Sequence, residues 1–109
     1  MHGRKVALVN ARVILPDGIA AGEALLVEDG RISGLVRPAD LASDVQIHDL
    51  DGHYLSPGFV DIHTHGALGH SFLDATDAAF DRLTRAQASR GVTSLLATSS
   101  TAPMEQILA

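Results

Sequence analysis

The sequence is marked first by what it lacks. It contains no cysteine and no tryptophan, and aromatic residues make up only 4% of its 109 residues. The absence of cysteine excludes both a disulfide framework and a cysteine-ligated zinc site. The scarcity of aromatic side chains leaves few platforms on which bases or sugars could stack.

Basic charge is also scarce, because 8 Lys and Arg residues face 13 Asp and Glu residues, for a net charge of -5. Binding to nucleic acid or to an anionic membrane needs a basic surface, so we expect neither partner. The apolar run near the start is interrupted by Asn10 and Arg12, which argues against a secretory leader or a spanning helix. With 46% hydrophobic residues, the chain has enough apolar material for a folded core. We therefore expect a soluble, cytoplasmic protein.

The first half of the chain, residues 1–56, has the pattern of short strands separated by turns. The apolar runs lie at 6–9, 11–15, 24–28, 31–36 and 45–50. Asp29-Gly30 stands between two of these runs and predicts a hairpin, because both central positions of such a turn favour positive φ. This half is predicted to be an all-β module.

The pattern changes after Pro57-Gly58. The predicted elements are a strand at 59–65, a glycine-containing loop at 66–71, a helix at 76–90, a strand at 92–97 and a further helix that begins near Pro103. Both strands are expected to be buried, and Thr76 is expected to cap the first helix. Alternation of strand and helix indicates a parallel βα architecture.

The strongest chemical signal is His63-Thr64-His65 at the end of the first of these strands. Side chains alternate along a strand, so Asp61, His63 and His65 are predicted to share one face. Two imidazoles two residues apart can converge on one divalent metal ion. A bare His-x-His is often surface or core filler, but its position at the end of an apolar strand favours metal ligation.

Three neighbouring residues are weighed for supporting roles. Asp61 lies one pleat deeper than His63, so it is expected to support a ligand or to make a buried hydrogen bond rather than to bind the metal itself. Gly66 either provides backbone clearance beside the metal or is a simple loop glycine. His70 is a candidate substrate-loop residue, although an exposed loop histidine is the simpler interpretation.

Several runs in the chain resemble the amidohydrolase superfamily. These are Asp29-Gly30-Arg31-Ile32, the junction from Leu55 to Asp61, and His63-Thr64-His65. Within the superfamily, the runs at 65–76 and 91–98 resemble the N-terminal part of N-acetylglucosamine-6-phosphate deacetylases. The resemblance implies a small β-sandwich module at 1–56 and, at 57–109, the first two βα units of an incomplete (β/α)8 barrel of the TIM type.

The same resemblance implies a metal-dependent amide hydrolase that converts N-acetylglucosamine 6-phosphate to glucosamine 6-phosphate and acetate. The expected cofactor is a divalent metal, with zinc foremost and iron or manganese as alternatives, and the complete protein is expected to be a homo-oligomer. Two other hypotheses stay open. One is an amidohydrolase that acts on cyclic amides, like a dihydropyrimidinase or an imidazolonepropionase, and the other is a truncated module without catalytic activity.

The resemblance also implies that further metal ligands and the general acid/base lie beyond Ala109, so no catalytic residue is assigned within this chain. Two βα units cannot close a barrel, which takes roughly 200 residues or more. We therefore expect the 109-residue chain to be a fragment that forms no stable monomer and has no deacetylase activity alone. Sedimentation, thermal melting and an acetate-release assay test this. A monomer that melts cooperatively, or a measurable turnover, would contradict it.

Overall fold

Two compact units make up the chain, Met1–Pro57 and Gly58–Ala109, in a computed structural model that describes residues 4–108. Each unit has its own sheets, and each is described by itself. The secondary structure combines many strands with a few helices, so the predicted mixed α/β class is confirmed. The finer prediction, a β-sandwich module followed by the start of a barrel, stays a prediction.

The first unit is built from seven strands in two sheets. They are β1 (Lys5–Val9), β2 (Arg12–Leu15), β3 (Gly18–Ala21), β4 (Ala24–Glu28), β5 (Arg31–Val36), β6 (Gln46–Asp49) and β7 (Tyr54–Leu55). One sheet has the order β5-β4-β1-β6 and the other β3-β2-β7. In the first sheet β1 runs antiparallel to β4 but parallel to β6. The buried hydrophobic residues of the unit are small or β-branched, namely Ala7, Ala11, Val13 and Ala24.

The predicted hairpin at Asp29-Gly30 is confirmed. Strands β4 and β5 pair antiparallel on either side of it. Asp29 has φ 50° and Gly30 has φ 76°, so both turn residues adopt the left-handed conformation that the pattern requires.

The second unit contains four strands and two helices. They are β8 (Phe59–Thr64), β9 (Gly66–Ala67), β10 (His70–Ser71), α1 (Asp77–Ala88), β11 (Val92–Ala97) and α2 (Met104–Ile107). Strands β8 and β11 pair in parallel and are connected through α1, which confirms the predicted βα architecture. The Thr76 hydroxyl accepts the Ala79 N–H at 3.2 Å, so the predicted helix cap is confirmed as well.

The expectation that both strands of this unit are buried is wrong. Phe59, Val60 and Ile62 on β8 are 64–71% exposed, and Leu96 on β11 is 61% exposed. The physical reason is that β8 and β11 form a two-stranded sheet, which the described residues cover only in part. The buried residues of the unit are Thr64 at the end of β8 and, outside the two strands, Phe72, Ala79 and Leu83.

None of the helices among residues 4–108 is long and apolar enough to cross a membrane.

The end of β6 is held by one carboxylate, and this generates a prediction. Asp49 Oδ1 accepts the backbone N–H of Asp51 at 2.8 Å and the side-chain amide of Asn10 at 3.0 Å. These donors, the Asp51 N–H first, hold the pKa of Asp49 below its ordinary value of 3.8. Its contribution to stability is therefore present above that value and is lost as the pH falls through the folded-state pKa.

We expect Asp49→Ala to lower the thermal midpoint at neutral pH, and we expect the difference from the parent to shrink in acid. Melting curves of the full-length gene product recorded across a pH series measure this. The exposed Asp44, replaced in the same way, is the control and should change little at any pH. An Asp49→Ala deficit that is independent of pH would show that the carboxylate charge is not responsible.

Candidate metal centre

His63 and His65 lie together where β8 ends. Their Nε2 atoms are 3.1 Å apart, and the ring centroids are 4.9 Å apart with the planes nearly perpendicular. Strand alternation accounts for this convergence, because the two side chains leave the backbone on the same face. Both residues are exposed, so the pair is open to solvent.

The orientation of the His65 ring is set by a neighbouring strand. Its Nδ1 lies 3.2 Å from the carbonyl oxygen of Thr98, which follows β11. A carbonyl oxygen can only accept, so this contact favours the tautomer of His65 that carries its hydrogen on Nδ1. The two Nε2 atoms, 3.1 Å apart, are within hydrogen-bond distance of each other.

The geometry of the pair fits a divalent metal. Bonds from zinc to imidazole nitrogen are about 2.0–2.1 Å long. At that bond length, two nitrogens that are close to van der Waals contact can both bind the same ion. The observed separation of 3.1 Å satisfies that distance condition. Within residues 4–108, however, no group of three or more His, Cys, Asp and Glu side chains is arranged to hold a metal ion. The pair therefore provides two ligands, and its assignment as a metal site stays a prediction.

Asp61 is half-buried on the same strand. Its Oδ1 accepts the backbone N–H of His63 at 3.0 Å. The carboxylate thus fixes the main chain that carries the first histidine. Support of an imidazole ring by Asp61 stays a prediction.

The loop after the histidines is a small hairpin rather than an irregular segment. Gly66–Ala67 pairs with His70–Ser71 across a turn at Leu68-Gly69, where both residues have positive φ. A Cβ built on Gly66 would collide with the backbone carbonyl oxygen of His70. The space that Gly66 provides is thus space for its own hairpin partner, and a role beside a metal stays a prediction.

His70 lies in this hairpin and is half-buried, so the simpler expectation of an exposed histidine is wrong. Its Nδ1 is 3.4 Å from Asp74 Oδ2, and its Nε2 is 3.4 Å from a guanidinium nitrogen of Arg82. The ring is partly covered because it bridges the hairpin and α1. Asp74 also accepts the Ser71 N–H at 3.0 Å, which closes a capping box around the short 3₁₀ turn Phe72–Asp74. A substrate contact by His70 stays a prediction.

Sequence reasoning did not single out two residues that hold this site. Neither Thr98, just after the strand at 92–97, nor Gln87, in the helix at 76–90, is among the candidate site residues inferred from the sequence. Gln87 Nε2 donates to the hydroxyl of Thr64 at 3.2 Å. Thr64 lies between the two histidines and is the one polar residue that is buried within residues 4–108. The signal that could have indicated Thr98 is its position after the second strand, because the ends of adjacent parallel strands meet at one edge.

No family model matches the chain. An N-acetylglucosamine-6-phosphate deacetylase of Haemophilus influenzae is 29% identical over 104 residues, which are 94% of this chain and 27% of that protein. The crystal structure of N-acetylglucosamine-6-phosphate deacetylase from Pasteurella multocida matches with a TM-score of 0.86 and 30% identity, and covers 95% of this chain and 28% of that one. The chain resembles the amidohydrolases.

This amidohydrolase resemblance, predicted from the sequence motifs, is thereby confirmed, and it includes a second kind of relative. An imidazolonepropionase of Klebsiella pneumoniae is 40% identical over 67 residues, which are 62% of this chain and 16% of that protein. The chain thus spans about a sixth to about a quarter of the length of the relatives it matches. The deacetylase match extends over 94% of this chain, whereas the imidazolonepropionase match has a higher sequence identity over a shorter part of the chain.

The crowding at Gly66 gives a testable prediction. We expect Gly66→Ala to destabilise the protein by about 1–3 kcal/mol, because the added methyl group must displace the His70 carbonyl. Chemical denaturation of the full-length gene product measures the change. Ala75→Gly is the matched control, since Ala75 has φ 47° and the relief of left-handed strain opposes the added chain entropy. Equal stability of Gly66→Ala and the parent would show that the hairpin is not tightly packed.

Proposed function

We propose that this chain is the N-terminal part of a metal-dependent amide hydrolase that removes the acetyl group from N-acetylglucosamine 6-phosphate. The observation that carries the proposal is the histidine pair, with its Nε2 atoms 3.1 Å apart at the end of a strand of a parallel βα unit. Active sites of parallel α/β proteins lie at the carboxyl ends of the strands, which is where His63 and His65 are found.

The residues of the chain supply part of such a site. His63 and His65 offer two neutral imidazole nitrogens, which is a donor set suited to zinc, with iron or manganese as alternatives. A divalent metal held there would supply Lewis acidity for amide hydrolysis. Asp61 would hold the backbone of His63, and Gly66 with His70 would shape the loop next to the substrate. The general acid/base would come from a segment outside these residues.

The proposal includes a finer description of the fold. Residues 1–56 would form a β-sandwich module, and residues 57–109 would form the start of a (β/α)8 barrel. Two features support it: the parallel connection from β8 through α1 to β11, and the match to a deacetylase structure over 95% of the chain. In this arrangement the exposed apolar side chains of β8 would be covered by later parts of a complete barrel.

The choice of substrate rests on the extent of the matches. The deacetylase relative aligns with 94% of the chain, including the hairpin at 66–71, and its name assigns an amino-sugar phosphate substrate. The second candidate function is hydrolysis of a cyclic amide, and the 40% identity to an imidazolonepropionase favours it. We also propose a cytoplasmic location and a homo-oligomeric complete protein, with neither nucleic acid nor membrane as a partner. The acidic net charge of -5 supports the last point.

The test combines metal analysis with two activity assays on the full-length gene product. We expect the parent protein to retain a divalent metal and to release acetate from N-acetylglucosamine 6-phosphate. His63→Ala and His65→Ala should each lower metal occupancy at least about 10-fold, because each removes a direct ligand. His48→Ala is the control, since His48 is an exposed histidine of β6 in the first unit.

The outcomes separate the alternatives. Metal content that is unchanged in both variants would remove the ligand assignment. Hydrolysis of imidazolonepropionate without acetate release would favour the second candidate function. Loss of metal in His48→Ala as well would show that the effect is not specific to the histidine pair.

A further inference from the structure

Thr98 makes hydrogen bonds to Thr64 through both its backbone and its side chain. Its backbone N–H donates to the Thr64 carbonyl at 3.0 Å, and its hydroxyl accepts the Thr64 N–H at 3.3 Å. The same hydroxyl donates to the Leu96 carbonyl at 3.2 Å. Three bonds thus fix the main chain of Thr98 beside the residue that separates the two histidines.

The carbonyl of this fixed residue is the partner of the His65 ring, at 3.2 Å from Nδ1. A neutral imidazole has one hydrogen, and the nitrogen that carries it is set by the hydrogen bond that the ring makes. A stationary acceptor at Nδ1 therefore stabilises the Nδ1–H form of His65. That form directs the Nε2 lone pair toward His63, 3.1 Å away.

Helix α1 also contacts this arrangement, through Gln87. Gln87 donates to the hydroxyl of Thr64, a residue that is only 8% exposed. Since a buried hydroxyl without a partner would cost free energy, this bond favours one position for Thr64. The strand end that carries both histidines is thereby fixed to α1 as well as to β11.

We propose that Thr98 is a positioning residue that sets the tautomer and the orientation of His65. Its hydroxyl holds its carbonyl in place, and the carbonyl selects the Nδ1–H form. Where the proposed function holds, this presents Nε2 to the metal, so that part of the inference rests on the proposed function. The selection of the tautomer does not, because it concerns the metal-free protein.

The test uses Thr98→Val, which keeps the branched shape but removes the hydroxyl, and Thr98→Ser, which keeps the hydroxyl. Long-range ¹H–¹⁵N NMR of the metal-free full-length protein reports which ring nitrogen carries the hydrogen, at a pH well above the usual titration range of histidine. We expect Nδ1–H for His65 in the parent and in Thr98→Ser, and a mixture with Nε2–H in Thr98→Val. Circular dichroism melting identifies any variant that is not folded.

Zinc affinity, measured by competition with a chelator, is the second readout. Loss of a group that orients a metal ligand typically weakens binding by about 10–100-fold, so we expect at least about a 10-fold loss for Thr98→Val. Thr98→Ser should bind zinc nearly as tightly as the parent.

Each outcome decides one claim. An Nε2–H tautomer of His65 in the parent overturns the inference without any variant. A folded Thr98→Val protein with the parent tautomer and zinc affinity overturns it too. If the tautomer shifts as expected but no form of the protein binds zinc, iron or manganese, the inference stands and the proposed function fails.

Discussion

The parallel pairing of β8 with β11 is the constraint on which the candidate centre depends. It places Ala97 beside Thr64, so that the residue after β11 meets the end of β8. Without that pairing His63 and His65 would remain neighbours along the chain, but the ring of the second would have no fixed acceptor. Contacts between chain segments 33 residues apart therefore decide what two residues of one strand can do.

Local signals in the sequence predicted the elements well, because the chemistry behind them is local. The Asp29-Gly30 turn needs two left-handed residues, and few other dipeptides accept that conformation as readily. Thr76 caps α1 with a bond to an amide three residues away, so its effect can be inferred from a short window. Burial of β8 and β11 was predicted wrongly for the converse reason. An apolar pattern tells which face prefers to be covered, but the covering is done by residues far along the chain.

In the candidate centre, too, some features follow from the local sequence and others depend on contacts between distant segments. Convergence of the two histidines follows from strand alternation, and it could be predicted from three consecutive residues. The parts played by Thr98 and Gln87 could not, because they depend on the register of β11 and on the rotation of α1 about its axis. His70 shows a further limit of prediction from the local sequence. Its loop position suggested exposure, yet a hairpin turn at Leu68-Gly69 folds it back against Asp74 and Arg82.

The exposure of Phe59, Val60 and Ile62 has a consequence for the behaviour of the chain in solution. Exposed apolar side chains adsorb to other nonpolar surfaces. Detergent micelles, tube walls and chaperone clefts would all compete for them, and kosmotropic salts would strengthen the attachment. Recovery and light scattering of the isolated chain should therefore depend on additives and concentration more than on its modest negative charge.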